Sequence, residues 1–215
     1  MKYFFSIFLL HSSLFLFAQT GNITGNTVSP LAQYSNEWNN HKYNKCNTAA
    51  NAAYLTGSEK EVIYILNLIR TYPALFAKTV LKKYPALSGN GYLAGDTYYF
   101  QSLVDTLLTL APKQMLSSDN ACFLSAKAHA YQSGITGYVG HERKTNDAKL
   151  KKHYYGECCD YGREDPLDIV LSLLIDEGIP SLGHRTVLLS DYAKIGVSIQ
   201  PHKKYGTNAV LDFYY

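Results

Sequence analysis

A chain of 215 residues holds one domain of ordinary size and some extra length. Hydrophobic residues make up 47% of it, enough for a buried core, which excludes global disorder. The net charge is only +3 and no basic run occurs, which argues against nucleic-acid binding.

Residues 1–18 read as a secretory signal. Lys2 gives the positive start, Phe4 to Leu10 and Leu14 to Phe17 the apolar stretch, and Ala18 the small residue before a cleavage site. The stretch is short and interrupted by His11-Ser12-Ser13, whereas a membrane span needs about 20 apolar residues. No later stretch could span a membrane, so a secreted or periplasmic location is expected. Residues 19–57 form an arm rich in turn-favouring asparagine, eight of them between Asn22 and Asn51. Trp38 and Cys46 are its candidate tethers.

From 58 to 215 the pattern is that of a folded domain. Ser58 can cap a first helix, with Glu59 and Glu61 in its first turn. Val62, Ile65, Leu66 and Ile69 form its apolar face. Pro73 starts a second helix, which runs to about Tyr84. A loop over 88–96 follows, and Phe100, Leu103, Val104, Leu107 and Leu110 mark another helix. Ser118 or Asp119 caps the next, with Gly134 as its stop. His129 within that helix reads as a packed histidine, since no second ligand stands at i+3 or i+4.

Asp165-Pro166 opens a helix closed by Gly178. Leu167, Val170, Leu171, Leu173 and Leu174 fill its apolar arc, while Asp168, Ser172 and Asp176 share the polar gap. Extending that wheel puts Glu177 on the apolar arc, where a carboxylate needs a partner or a wet cavity. This selects Glu177 over Asp176 as a site residue. A short helix runs from His184 or Arg185 to Leu189. Ile195, Val197 and Ile199, then Ala209, Leu211 and Phe213, alternate as two strands of an antiparallel hairpin. Weaker strand signals surround Tyr138 and Tyr154. Helices enclosing a small antiparallel sheet make an α+β fold, an α-β-α sandwich.

The four cysteines are Cys46, Cys122, Cys158 and Cys159. In an exported protein an even number implies disulfides, with three possible connectivities. Adjacent cysteines rarely bond each other, so Cys158 and Cys159 are expected to pair separately with Cys46 and Cys122.

The chemistry concentrates between Gly140 and Arg185, in Gly140-His141, Gly156-Glu157 and Gly183-His184. Imidazole is the commonest metal ligand and carboxylates complement it as ligand, orienting partner or base. The histidines stand 43 residues apart, so spacing alone does not join them, and polar groups satisfied in loops would account for the same residues. Arg185 reads as a helix-start residue or a partner of Asp165 or Asp191. Asn67 and Arg70 read as residues that fix the first helix to its neighbours.

A resemblance joins these pieces. Leu66-Asn67-Leu68-Ile69-Arg70, Ala126-Lys127-Ala128-His129-Ala130, Gly140-His141, Gly156-Glu157, Asp176-Glu177-Gly178 and Gly183-His184-Arg185 stand in order. With Ile195-Gly196-Val197 and Val210-Leu211-Asp212-Phe213, the chain from about Glu59 resembles a bacterial member of the CAP superfamily, the SCP or cysteine-rich secretory protein domain. The resemblance implies an α-β-α sandwich with a cleft of two histidines, His141 and His184, and two acids, Glu157 and Glu177. It also implies a divalent cation, zinc by expectation, held by the histidines, and a sterol or fatty-acid-like ligand. Cys158 replaces the asparagine that follows the family's motif glutamate, and the family's extended cysteine-rich module is missing.

Two other readings stand beside a binding module. One is a metal-assisted hydrolase with Glu157 or Glu177 as base. Ser181 as its nucleophile lies in a turn outside any GxSxG pattern. The other is a scaffold whose site is idle.

Overall fold

The structure, a computed structural model, describes residues 28–88, 97–143 and 153–215. The signal segment 1–18 and most of the 88–96 loop lie outside the described residues. Seven α-helices are described: α1 (Gly57–Thr71), α2 (Pro73–Phe76), α3 (Lys82–Leu87), α4 (Tyr98–Thr109), α5 (Asn120–Thr136), α6 (Pro166–Ile175) and α7 (Gly183–Leu188). A π-helical stretch, Ala77–Leu81, joins α2 to α3, and two 3-10 turns, Asn36–Asn39 and His41–Cys46, lie in the arm. None of the helices among the described residues is long and apolar enough to cross a membrane.

Four strands form one sheet: β1 (Ser117–Ser118), β2 (Gly156–Tyr161), β3 (Lys194–His202) and β4 (Gly206–Tyr214), in the order β1-β3-β4-β2. β3 and β4 are the expected antiparallel hairpin. β2 pairs antiparallel with β4 as an edge strand, starting two residues after the weak signal at Tyr154. The segment around Tyr138 is not a strand. β1 adds a short parallel pairing to β3.

Alternation along β2 shows how the layers are divided. Cys158 faces the main core, which holds Ile65, Leu66 and Ile69 of α1 and Val170, Leu171 and Leu174 of α6. Cys159 faces the other way, into a small cluster with Ala126 and Ala130 of α5 and Val210 of β4. Strand side chains alternate between faces, so α5 covers one face and α1, α6 and their neighbours the other. The fold is the expected α+β sandwich.

Thr56, not Ser58, caps α1. Its Oγ1 accepts from Glu59 N (3.3 Å) and Glu59 Oε2 accepts from Thr56 N (2.8 Å), a capping box. The other Glu59 oxygen accepts from Ile199 N (2.9 Å), tying α1 to β3. α5 runs through Gly134 and stops at Gly137 instead. Gly134 has a packing role, because a Cβ there would lie 2.2 Å from Pro201 O. At the other end of α5, a Cβ on Gly196 would lie 2.0 Å from Phe123 N. Glycine at both places lets α5 lie directly on the β3 backbone.

Two buried guanidiniums fasten loops. Arg70 donates to the carbonyls of Gln114, Leu188, Ser190 and Tyr192. Arg185 donates to those of Leu174, Ile175 and Tyr99 and to Ser102 Oγ, in place of the expected pairing with Asp165 or Asp191. Asn67 fixes the segment after α4 by exchanging hydrogen bonds with Leu116 N (2.7 Å) and Leu116 O (3.0 Å).

The expected disulfides are absent: all four cysteines are buried and free. Cys158 and Cys159 leave β2 on opposite faces, Cys46 sits against Thr71 of α1, and Cys122 lies at the start of α5. The arm is held by packing. Trp38 packs at a tilt against Tyr43 (4.9 Å between ring centres) and donates to Thr79 Oγ1 at 3.0 Å.

Candidate functional site

β2 places Glu157 on the α5 side of the sheet, in register with Asp212 of β4. The segment after α5 brings His141 and Arg143 to it. His141 Nδ1 lies 2.8 Å from Glu157 Oε1, and Arg143 Nη2 donates to Glu157 Oε2. The same guanidinium reaches Asp212 at 3.0 and 3.2 Å, and its Nη1 donates to Ser125 O at 2.7 Å. Ser125 Oγ closes the network by donating to Asp212 Oδ2 at 2.6 Å.

Burial opposes ionisation of Glu157, but the His141 hydrogen bond and the Arg143 charge outweigh it and hold the carboxyl below its usual range. Asp212 goes the other way. Deep burial raises its carboxyl well above the ordinary value, Arg143 pulls against this, and the Glu157 charge adds to the rise. The two acids are thus shifted in opposite directions, with ionisation favoured at Glu157 and opposed at Asp212. The His141 imidazole is raised, chiefly by its bond to Glu157.

His184 arrives from the opposite side, at the start of α7. α6 ends at Ile175, and Asp176 takes the left-handed conformation at φ 58°. That turn aims its carboxylate at His184: Oδ1 lies 2.8 Å from the ring Nδ1 and Oδ2 accepts from His184 N at 2.9 Å. The expectation for Glu177 is corrected here. The helical wheel ends at 175, so it does not place residue 177. Glu177 accepts from Thr97 Oγ1 (2.8 Å) at the cap of α4, and Asp176 is the acid on the histidine.

The two histidines meet beside the edge strand with ring centres 6.3 Å apart and planes 41° from parallel. An ionised carboxylate only accepts hydrogen bonds, so each Nδ1 carries the proton. In the neutral rings each Nε2 then carries the lone pair, and neither has a hydrogen-bond partner among the described residues. His141 is half exposed through its side chain and His184 a quarter exposed. The profile of the cysteine-rich secretory protein family, CAP, matches residues 103–214.

The chain belongs to the CAP family. The matched region begins within α4 and runs to the end of β4, so it contains every residue of this cleft. No curated protein and no solved structure gives a significant match.

Within this CAP chain the buried group His129, Glu157 and Cys159 also brings three donor atoms within 4.8 Å of one another. Its members are already committed. His129 Nε2 donates to Gly140 O (2.8 Å), fastening the His141 segment to α5, and Glu157 holds His141 and Arg143. His129 thus has the packing role expected of it. Ser181 is exposed in its turn. Arg143 and Asp212 were not singled out from sequence. Asp212 carried a faint signal, an acid inside an alternating apolar strand; Arg143 lies in a polar segment without periodicity.

Proposed function

We propose that this is an exported CAP protein whose cleft binds a zinc-like divalent cation through Nε2 of His141 and Nε2 of His184. The observation that carries this reading is the matched pair of carboxylate–histidine contacts, Glu157 on His141 and Asp176 on His184. Such contacts orient a ligand ring, fix its tautomer and raise its basicity. The spacing fits as well. Two rings sharing one ion lie roughly 5–6 Å apart on metal–nitrogen bonds of about 2.1 Å, so 6.3 Å asks for a small side-chain adjustment. The charge balance favours a cation: Arg143 lies against Glu157 and Asp212, burial opposes ionisation of Asp212, and Asp176 adds a carboxylate beside His184.

Bound there, a divalent ion would supply Lewis acidity at its open positions. The chain's own residues orient and tune: Arg143 pins Glu157, and Glu157 and Asp176 hold the ring protons, which leaves the Nε2 atoms for the ion. Hydrolysis has less support, because the Glu157 oxygens are taken by His141 and Arg143 and a depressed carboxyl is a weak base. An apolar ligand such as a sterol or fatty acid is the second part of the reading. A groove of about 480 Å³ lined by Leu81, Pro85, Phe100 and Val104, with Lys78 and Lys82, supports it.

Calorimetric titration with zinc tests the proposal. The wild type should bind, and the double variant His141→Ala/His184→Ala should lose the binding. Equal affinity for the two proteins would sink it.

A further inference from the structure

A second group of donors gathers at the other end of α5, built from residues that the cleft does not use. Asp119 is the N-cap of the helix and its Oδ1 accepts from Cys122 N at 2.9 Å, which sets the two side chains on one turn. His153 comes to the same place from a separate segment and is held twice. Its backbone N–H donates to Ser125 Oγ (3.1 Å), and its ring stacks flat on Tyr214 of β4, with centres 4.5 Å apart and planes 1° from parallel. One oxygen of Asp119, the Cys122 sulfur and one ring nitrogen of His153 consequently lie within 4.8 Å of one another. Cys122 is buried, while Asp119 and His153 are partly exposed, so the group is walled on the protein side and open to solvent.

We propose that Asp119, Cys122 and His153 form a metal site for a zinc-class divalent ion, separate from the His141/His184 cleft. The donor chemistry selects the ion. One sulfur, one nitrogen and one oxygen suit zinc or a similar borderline-soft metal and not magnesium or calcium, which take oxygen ligands. The charges close: a thiolate and a carboxylate neutralise a 2+ ion and the imidazole adds none. Burial and the neighbouring Asp119 charge raise the Cys122 thiol, so the incoming ion has to displace its proton to gain the thiolate. On binding, a sulfur–metal bond forms and the thiol proton leaves to solvent. Three protein ligands leave one position for water. The proposal does not depend on the cleft binding metal.

Cobalt(II) added to the reduced full-length chain distinguishes the two sites, because only a thiolate ligand gives a sulfur-to-cobalt charge-transfer band. The band should appear in the wild type and persist in His141→Ala/His184→Ala and in Cys159→Ser. It should vanish in Cys122→Ser. In His153→Ala, a partly exposed position, cobalt affinity should fall by more than about 10-fold, the low end of what loss of an orienting partner alone causes. No band in the wild type, a band that survives Cys122→Ser, or a band lost with Cys159→Ser would overturn the proposal. If Cys122→Ser does not fold, unchanged affinity in His153→Ala overturns it.

Discussion

A carboxylate that accepts from one ring nitrogen of histidine settles where the proton sits and leaves the other nitrogen to bind something else. In this CAP chain both cleft histidines are arranged that way, and the acids that do it are Glu157 and Asp176. Replacing Asp176 by Asn keeps the shape but removes the charge behind the His184 ring. Zinc affinity should then fall by about 10–100-fold, whereas Glu177→Gln, which touches Thr97, should leave it within about 2-fold; parallel titrations of the two variants check this. Three of the four cleft residues, His141, Glu157 and His184, were legible in sequence because each follows a glycine. The choice between the neighbouring acids was not. A helical wheel assumes 100° per residue, and Asp176, at φ 58°, has already left the helix. Arg143, which joins Glu157 to Asp212, has no local pattern at all, since only the β2–β4 register puts the two acids side by side.

At the scale of elements, the position of α5 decides whether the cleft exists. The helix carries Ser125 and His129, which hold Arg143 and Gly140 and thereby place His141. Its closeness to β3 rests on Gly196, where any side chain would meet the backbone of Cys122 and Phe123. Backbone cannot step aside as a flexible side chain does, so Gly196→Ala should destabilise the protein by about 3 kcal/mol or more. Urea unfolding measures this, and a loss below about 1 kcal/mol would show that the helix can lift away. Helices and the hairpin were legible from period alone, because their apolar faces are continuous. Gly134 was misread as a stop because sequence does not distinguish a glycine that ends a helix from one that lets a neighbouring carbonyl approach. The cap of α1 moved from Ser58 to Thr56 because Glu59, three residues on, completes a capping box only with Thr56.

For the whole molecule, buried charge makes stability depend on pH. Asp160 is the clearest case. Burial lifts its carboxyl from 3.8 to about 6 against the pull of Arg163 and Ser172. Its Oδ2 has no hydrogen-bond partner among the described residues. The folded state thus binds the proton more tightly than the unfolded chain, so this contribution to stability is full below pH 3.8 and lost as pH rises through about 6. Asp160→Asn cannot titrate. Its stability relative to the wild type should rise between pH 4 and 6, by on the order of 2–3 kcal/mol, and level off above that. Urea unfolding at pH 4, 5, 6 and 7 reads the difference, and a constant one would contradict this account. The disulfide expectation failed at the same scale. Cysteine parity is a rule about pairing, but here the fold distributes four thiols over two sheet faces and two helices.

The central claim concerns two nitrogens, and diffraction from zinc-soaked crystals at the zinc absorption edge tests it most directly. The account predicts an anomalous peak within about 2.1 Å of Nε2 of both His141 and His184, with Glu157 and Asp176 still on the Nδ1 atoms. A cleft with no peak at saturating zinc, or a peak bound through Nδ1 after the carboxylates have swung away, would contradict it.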